Sequence, residues 1–209
     1  MTCVLSPPAV RGREEGDALL PAVGARRLLA DPYAADAVCA ALSELSELPG
    51  PSGVPEPGAD RGVPVILAAT DYSLYAADEF VARRDDGGRR LRPCDSVALE
   101  PSGLLQRFTA TTGWQGPGYV LGSRHSDGRS ALELAGAMAG SGRASYVYVC
   151  EVLRRADTGV FWAVATRVSP NGPPAPVSLP FAVPPGVGAT LWGRSAVARA
   201  YLRQISRTS

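Results

Sequence analysis

Val63–Ala69 (VPVILAA) is a near-continuous apolar run, and it limits what this chain can fold into more than any other stretch. A strand with one wet face alternates apolar and polar residues, whereas a run apolar at nearly every position is a strand covered on both faces. Two further runs read as strands, Ser145–Val152 (SYVYVCEV) and Val160–Val168 (VFWAVATRV). The polar turn Arg154–Gly159 between them has the length of a hairpin connection. Thr2–Leu5 supplies a short first strand, closed by Pro7 and Pro8, and Arg11–Asp17 is charged and expected at the surface.

Helices alternate with these strands. Asp31 can cap a helix that continues to Leu45, with Pro32 at its first position and Tyr33, Ala37, Val38, Ala40, Ala41 and Leu45 mainly on one face. Tyr75–Arg83, Pro101–Thr112, a segment from about Asp127 to Ala139, and Arg194–Ile205 also read as helices. Pro49–Gly62 holds four prolines and four glycines and is expected to be a mobile loop. A second irregular, proline-rich segment covers about 170–190, and Asp85–Arg92 (DDGGRRLR) reads as a solvated turn. The order β–α–β–α–α–β–α–β–β–α predicts one α/β domain over residues 1–209, a mixed sheet with helices packed on it.

Composition excludes several functions. The formal charge is +1, which gives no footprint for nucleic acid or an anionic membrane. No apolar run approaches the roughly 18 residues of a membrane span, and no signal peptide opens the chain, so a cytoplasmic location is expected. Cys3, Cys39, Cys94 and Cys150 form no CxxC pair, and His125 is the single histidine, so neither a metal site nor a disulfide framework is expected. Every basic residue is arginine, which removes lysine from any catalytic scheme.

Candidate chemistry centres on Gly113–Ala135 (GWQGPGYVLGSRHSDGRSALELA), read as a tight turn, a short strand at Tyr119–Leu121, a bend and a helix. His125 sits at the bend. A catalytic histidine needs an orienting carboxylate and a companion group, but Asp127 stands where it would cap the helix. The alternative is a hydrogen-bonded structural histidine. Cys39 and Cys150 read as small buried residues. Cys94 follows Pro93 in a predicted loop and could be exposed, with only arginines nearby to depress its pKa. Gly113–Gly118 lacks the lysine of a P-loop, and Ser73, Ser123, Ser126 and Ser130 lack a GxSxG context.

Five pieces, in order over about residues 20–152, resemble the N-terminal half of the thiolase-fold β-ketoacyl synthases. They are Arg26-Arg27-Leu28-Leu29-Ala30-Asp31-Pro32-Tyr33, Val65–Thr70 with Asp71, Thr112–Pro117, the strand–bend–helix after it, and Gly140-Ser141-Gly142-Arg143-Ala144 before the SYVYVCEV strand. The glycine-rich turn expected after Val65–Thr70 is missing. Counted from Gly116-Pro117, the family's nucleophilic cysteine is replaced by His125, and its later histidines and lysine have no counterpart.

The resemblance implies a thiolase-like layered fold, N-terminal half only, most like a truncated chain-length factor of a type II polyketide synthase, of the reducing, polyene-type clusters. It implies no catalytic residue and no cofactor. The implied partner is an active ketosynthase in a heterodimer, with acyl carrier protein engaged through the complex. By the same resemblance Trp114, Tyr119, Val120 and Leu121 would lie at the dimer interface. Leu99, Leu104, Leu105 and Phe108 would line or gate the acyl tunnel, or else belong to this chain's own core. The alternative function is a stand-alone acyl-transfer or decarboxylating enzyme acting on carrier-protein thioesters through His125 or Cys94.

Overall fold

In the computed structural model of the protein, which describes residues 3–19, 30–48, 59–88, 90–122, 127–170 and 189–207, the central apolar run becomes an interior strand. The strands are β1 (Cys3–Leu5), β2 (Ala9–Arg13), β3 (Val65–Ala68), β4 (Gly118–Leu121), β5 (Val147–Arg154) and β6 (Phe161–Pro170). The helices are α1 (Pro32–Ser46), α2 (Thr70–Asp85), α3 (Pro93–Val97), α4 (Gln106–Thr112), α5 (Asp127–Gly140), α6 (Ala189–Arg194) and α7 (Ala196–Ile205), with single 3-10 turns at Ala59–Gly62 and Pro101–Leu105. The strands form one mixed sheet in the order β1–β6–β5–β3–β4, with β2 also on β6. β3 runs parallel to β4 and β5, and β6 runs antiparallel to β5, β1 and β2.

Alternation along β3 and β5 sends side chains into two separate cores. Val65, Leu67, Tyr148 and Cys150 meet Val38, Leu42 and Leu45 of α1 together with Leu104 and Phe108. Ile66, Val147 and Val149 point the other way, against Ala131 and Ala135 of α5 and Val197 and Tyr201 of α7. The fold is therefore a three-layer α/β arrangement with helices on both faces, as an uninterrupted apolar strand requires. Small residues dominate the inner face of α5 (Ala131, Ala135, Ala139), which lets that helix lie close to the sheet.

Local chemistry fixes the element ends. The Asp31 carboxylate accepts hydrogen bonds from the Tyr33 and Ala34 amides at 2.9 and 3.0 Å, the predicted cap. Arg167 closes the other end of α1: its Nη2 donates to the Leu45 and Leu48 carbonyls at 2.8 and 3.0 Å, and its guanidinium lies 4.5 Å from the centre of the Tyr146 ring. Gly113 ends α4 with φ 69°, a left-handed conformation that favours glycine.

The structure corrects four expectations. Arg11–Arg13 lies in β2, a strand not expected there, because β6 is long enough to pair with a second segment beyond Pro7 and Pro8; Arg11 and residues 14–17 are exposed, as expected. The two prolines lack amide donors, and three residues (Ser6, Pro7, Pro8) face two on β6, so the ladder carries a one-residue bulge there. α2 begins at Thr70, five residues before the expected start. Cys94 falls within a short helix, α3, rather than a loop. The closing helix is broken into α6 and α7, with Ser195 capping α7. Residues 49–58 of the expected loop and the irregular segment at 171–188 lie outside the described residues, as do residues 26–29 of Arg26–Tyr33.

A buried ion triad was missed from sequence. Asp36 of α1 has no exposed surface and lies 2.6 Å from Arg13 of β2 and 3.2 Å from Arg107 of α4. Two guanidinium groups around one carboxylate compensate its desolvation and tie three elements together.

Candidate functional site

β3, β4 and β5 are parallel, so their carboxyl ends emerge on one edge of the sheet. From β3 the chain enters α2, whose Tyr72 and Ala76 join the first core; from β4 it enters α5, which packs on the opposite face. Divergence of successive helices to opposite faces is the arrangement beyond whose strand ends open α/β sheets bind ligands. β4 ends at Leu121 on this edge, and α5 starts at Asp127. His125 itself, with Ser123 and Ser126, lies outside the described residues.

A buried acid sets the geometry at the start of α5. Glu151 of β5 is 4 % exposed. Its carboxylate accepts from the Ser195 hydroxyl at 2.5 Å and from the Ala196 and Val197 amides, each at 2.9 Å. These are free donors of the first turn of α7, and a carboxylate there complements the helix dipole. The same carboxylate rests against the start of α5: a Cβ on Gly128 would come within 1.8 Å of its Oε1. One buried anion thus serves the N-terminus of α7 and occupies the N-terminus of α5.

A second carboxylate secures the neighbouring edge. Asp71, in the first turn of α2, accepts from the Arg154 amide at 2.9 Å and pairs with the Arg194 guanidinium at 2.6 Å. The Arg154 guanidinium lies 4.6 Å from the centre of the Tyr75 ring. Burial, aided by the Asp31 and Glu79 carboxylates, pushes the Tyr75 phenol up to about 12. Through Arg194 and Ser195, α6 and α7 are therefore bound to the carboxyl ends of α2's strand and of β5. Glu151 is visible in sequence only as one charge inside the apolar run SYVYVCEV, and its partner Ser195 is 44 residues away.

The turn before β4 is built for close approach. The Trp114 indole donates to the Val63 carbonyl at 2.7 Å. A Cβ on Gly116 would lie 2.3 Å from that carbonyl oxygen and 2.6 Å from Trp114 Nε1. Only glycine fits, and Pro117 then aims the chain into β4. Trp114, an interface candidate, is itself buried against Phe108. Tyr119 is 40 % exposed, and Val120 and Leu121 are half-buried. Of the tunnel candidates, Leu104, Leu105 and Phe108 are buried in this chain's first core, and Leu99 is half-buried against it.

Two of the described cysteines, Cys39 and Cys150, are fully buried. Burial raises the pKa of both Cys39 and Cys150, the latter with help from the neighbouring Glu151 charge. Cys94 has no described side chain. No cluster of three or more metal-ligating side chains occurs among the described residues, and no helix among them is long and apolar enough to cross a membrane.

Comparison with known proteins gives no family model and no curated protein that matches the sequence. Solved structures do match. The ishigamide ketosynthase/chain length factor shares 16 % identity with a TM-score of 0.47, over 65 % of this chain and 43 % of that one. The 3-oxoacyl-[acyl-carrier-protein] synthase III from Aquifex aeolicus VF5 shares 15 % identity with a TM-score of 0.35, over 72 % of this chain and 41 % of that one. The chain thus spans less than half the length of either structure.

Proposed function

We propose that this chain is a non-catalytic, chain-length-factor-like subunit that pairs with an active ketosynthase through β4 and leaves condensation to its partner. The observation that carries this reading is the outer edge of β4, which ends the sheet. The Pro117 and Leu121 carbonyls accept from the Val65 and Ala69 amides of the β3 segment. By alternation Gly118 and Val120 turn their N–H and C=O groups outward, where no partner exists among the described residues. A short uncovered edge flanked by a half-exposed tyrosine is a template for a strand of another chain.

The electrostatics at the bend support the absence of nucleophilic chemistry. A helix N-terminus stabilises an anion at an adjacent nucleophile. Here the start of α5 already faces the Glu151 carboxylate, so its partial positive charge is neutralised before any substrate arrives. In this reading Leu99 is the tunnel candidate with surface to present, while Leu104, Leu105 and Phe108 are the packed wall behind it. Carrier-protein engagement through the complex and a reducing, polyene-type product belong to the same proposal.

Co-expression with an intact ketosynthase from the same genome, followed by size-exclusion chromatography, tests it. A one-to-one complex is expected. Val120→Pro removes an outward amide and keeps the pairing to β3, since proline is tolerated on an edge strand. That variant should fold alone and lose the complex. A complex that survives Val120→Pro and Tyr119→Glu together, or no complex with the wild-type chain, would reject the proposal.

A further inference from the structure

Charge is segregated along the chain in a way the ketosynthase-partner reading does not use. The last acidic residue is Asp157; the 52 residues after it hold five arginines (Arg167, Arg194, Arg199, Arg203, Arg207), against sixteen arginines and twenty carboxylates up to and including it. Arg167 is buried and Arg194 is paired with Asp71. The remaining three lie on one outer face of α7 and its closing turn. Arg199, Leu202, Arg203, Ser206 and Arg207 are all exposed, at the spacing of helical neighbours, while Val197, Ala198 and Tyr201 face the core.

Helix ends account for only part of this face, through Arg203 in the last turn of α7 and the reach of Arg199 to the end of α6. A cation in the last turn suits the dipole, but Arg199 stands in the first turn, at the positive end. Its Nη1 donates to the Gly193 carbonyl of α6 at 3.1 Å. Among the described residues no carboxylate pairs with Arg199, Arg203 or Arg207. Their positions span about 12 Å of helix at 1.5 Å per residue. Leu202, 39 % exposed, lies in their midst.

We propose that this face docks an acidic helix of a partner protein, whose carboxylates at i, i+4 spacing meet the arginines and whose apolar residue covers Leu202. The charge row and the single leucine match such a helix in both sign and pitch. The face has no aromatic platform for unstacked bases. A membrane-surface helix needs a broad apolar side, and the apolar side of α7 is already committed to the core. The site is remote in sequence from β4, and the proposal is independent of the ketosynthase reading.

The test is fluorescence anisotropy with the full chain and a labelled synthetic helical peptide carrying Glu at i, i+4 and i+8 beside one Leu. A Gln-for-Glu peptide and vesicles containing phosphatidylglycerol serve as alternative probes. The Glu peptide should bind, weaken about tenfold between low and physiological salt, and lose at least about tenfold in affinity to Arg203→Glu/Arg207→Glu. The milder Arg203→Gln/Arg207→Gln pair gives the same readout should charge reversal disturb folding. Equal binding of the Glu and Gln peptides, undiminished binding by both variants, no binding of the Glu peptide, or binding to vesicles alone would each overturn the proposal.

Discussion

Gly128→Ala should change sign with the residue at position 151. In the wild-type chain the added methyl would lie 1.8 Å from Glu151 Oε1 and 2.6 Å from its Cδ. The carboxylate cannot simply swing aside, because Ser195, Ala196 and Val197 hold it. Moving it weakens hydrogen bonds to a charged acceptor, each worth about 1.5–3 kcal/mol, or strains the packing by about 1–3 kcal/mol. Gly128→Ala alone should therefore destabilise by about 2–4 kcal/mol. With Glu151→Ala the obstacle is gone, and replacing a helical glycine by alanine should stabilise by about 0.5–1 kcal/mol. The coupling between the two sites is then about 2.5–5 kcal/mol, well above the departure from additivity at independent sites. Urea unfolding of the four proteins measures it. A Gly128→Ala effect of the same size and sign in both backgrounds would refute the shared-anion account of the two helix ends.

Three further outcomes follow from other buried groups. Asp36→Asn removes the charge that Arg13 and Arg107 share, and should cost about 3–5 kcal/mol in denaturant unfolding; a loss below 1 kcal/mol would show that the triad does not tie β2, α1 and α4. The Tyr75 phenol is raised to about 12 in the folded chain, against about 10 when unfolded. The folded state therefore keeps a proton the unfolded state has released, and stability is complete below pH 10 and falls as pH rises from 10 towards 12. Tyr75→Phe should flatten that decline in melting temperature, and an unchanged slope would contradict the assignment. Cys39 and Cys150 are fully buried with raised thiol pKa values. Peptide mapping after iodoacetamide at pH 8 should find the half-buried Cys3 modified well before either; native-state labelling of Cys150 at the rate of Cys3 would contradict its burial.

The layers and the order of the main elements were legible because they rest on local signals. The uninterrupted run at Val65–Ala68 demanded cover on both faces and has it. The Asp31-Pro32 pair marked the start of α1, and the polar turn after Arg154 marked the β5–β6 hairpin. β2 was not legible, because Arg11 and Arg13 carry charge and Gly12 lacks a side chain. That strand is held by pairing to β6, more than 140 residues away in sequence, with Gly12 opposite Trp162. The same limit hid the site's frame. Glu151, Asp71 and Asp36 are unremarkable acids in sequence, and their meaning lies in Ser195, Arg194 and Arg107, which only the fold brings near. His125, singled out from its place after the Gly116-Pro117 turn, lies outside the described residues; the glycine of that motif is required by the packing of Trp114 against Val63.

The most direct test of the partner-subunit account is a condensation assay with a purified ketosynthase and carrier protein, with and without this chain, in wild-type and His125→Ala forms. The account predicts product only when both chains are present, at a rate unchanged by His125→Ala. Turnover of acyl thioesters by this chain alone, or loss of the complex's activity in His125→Ala, would contradict it.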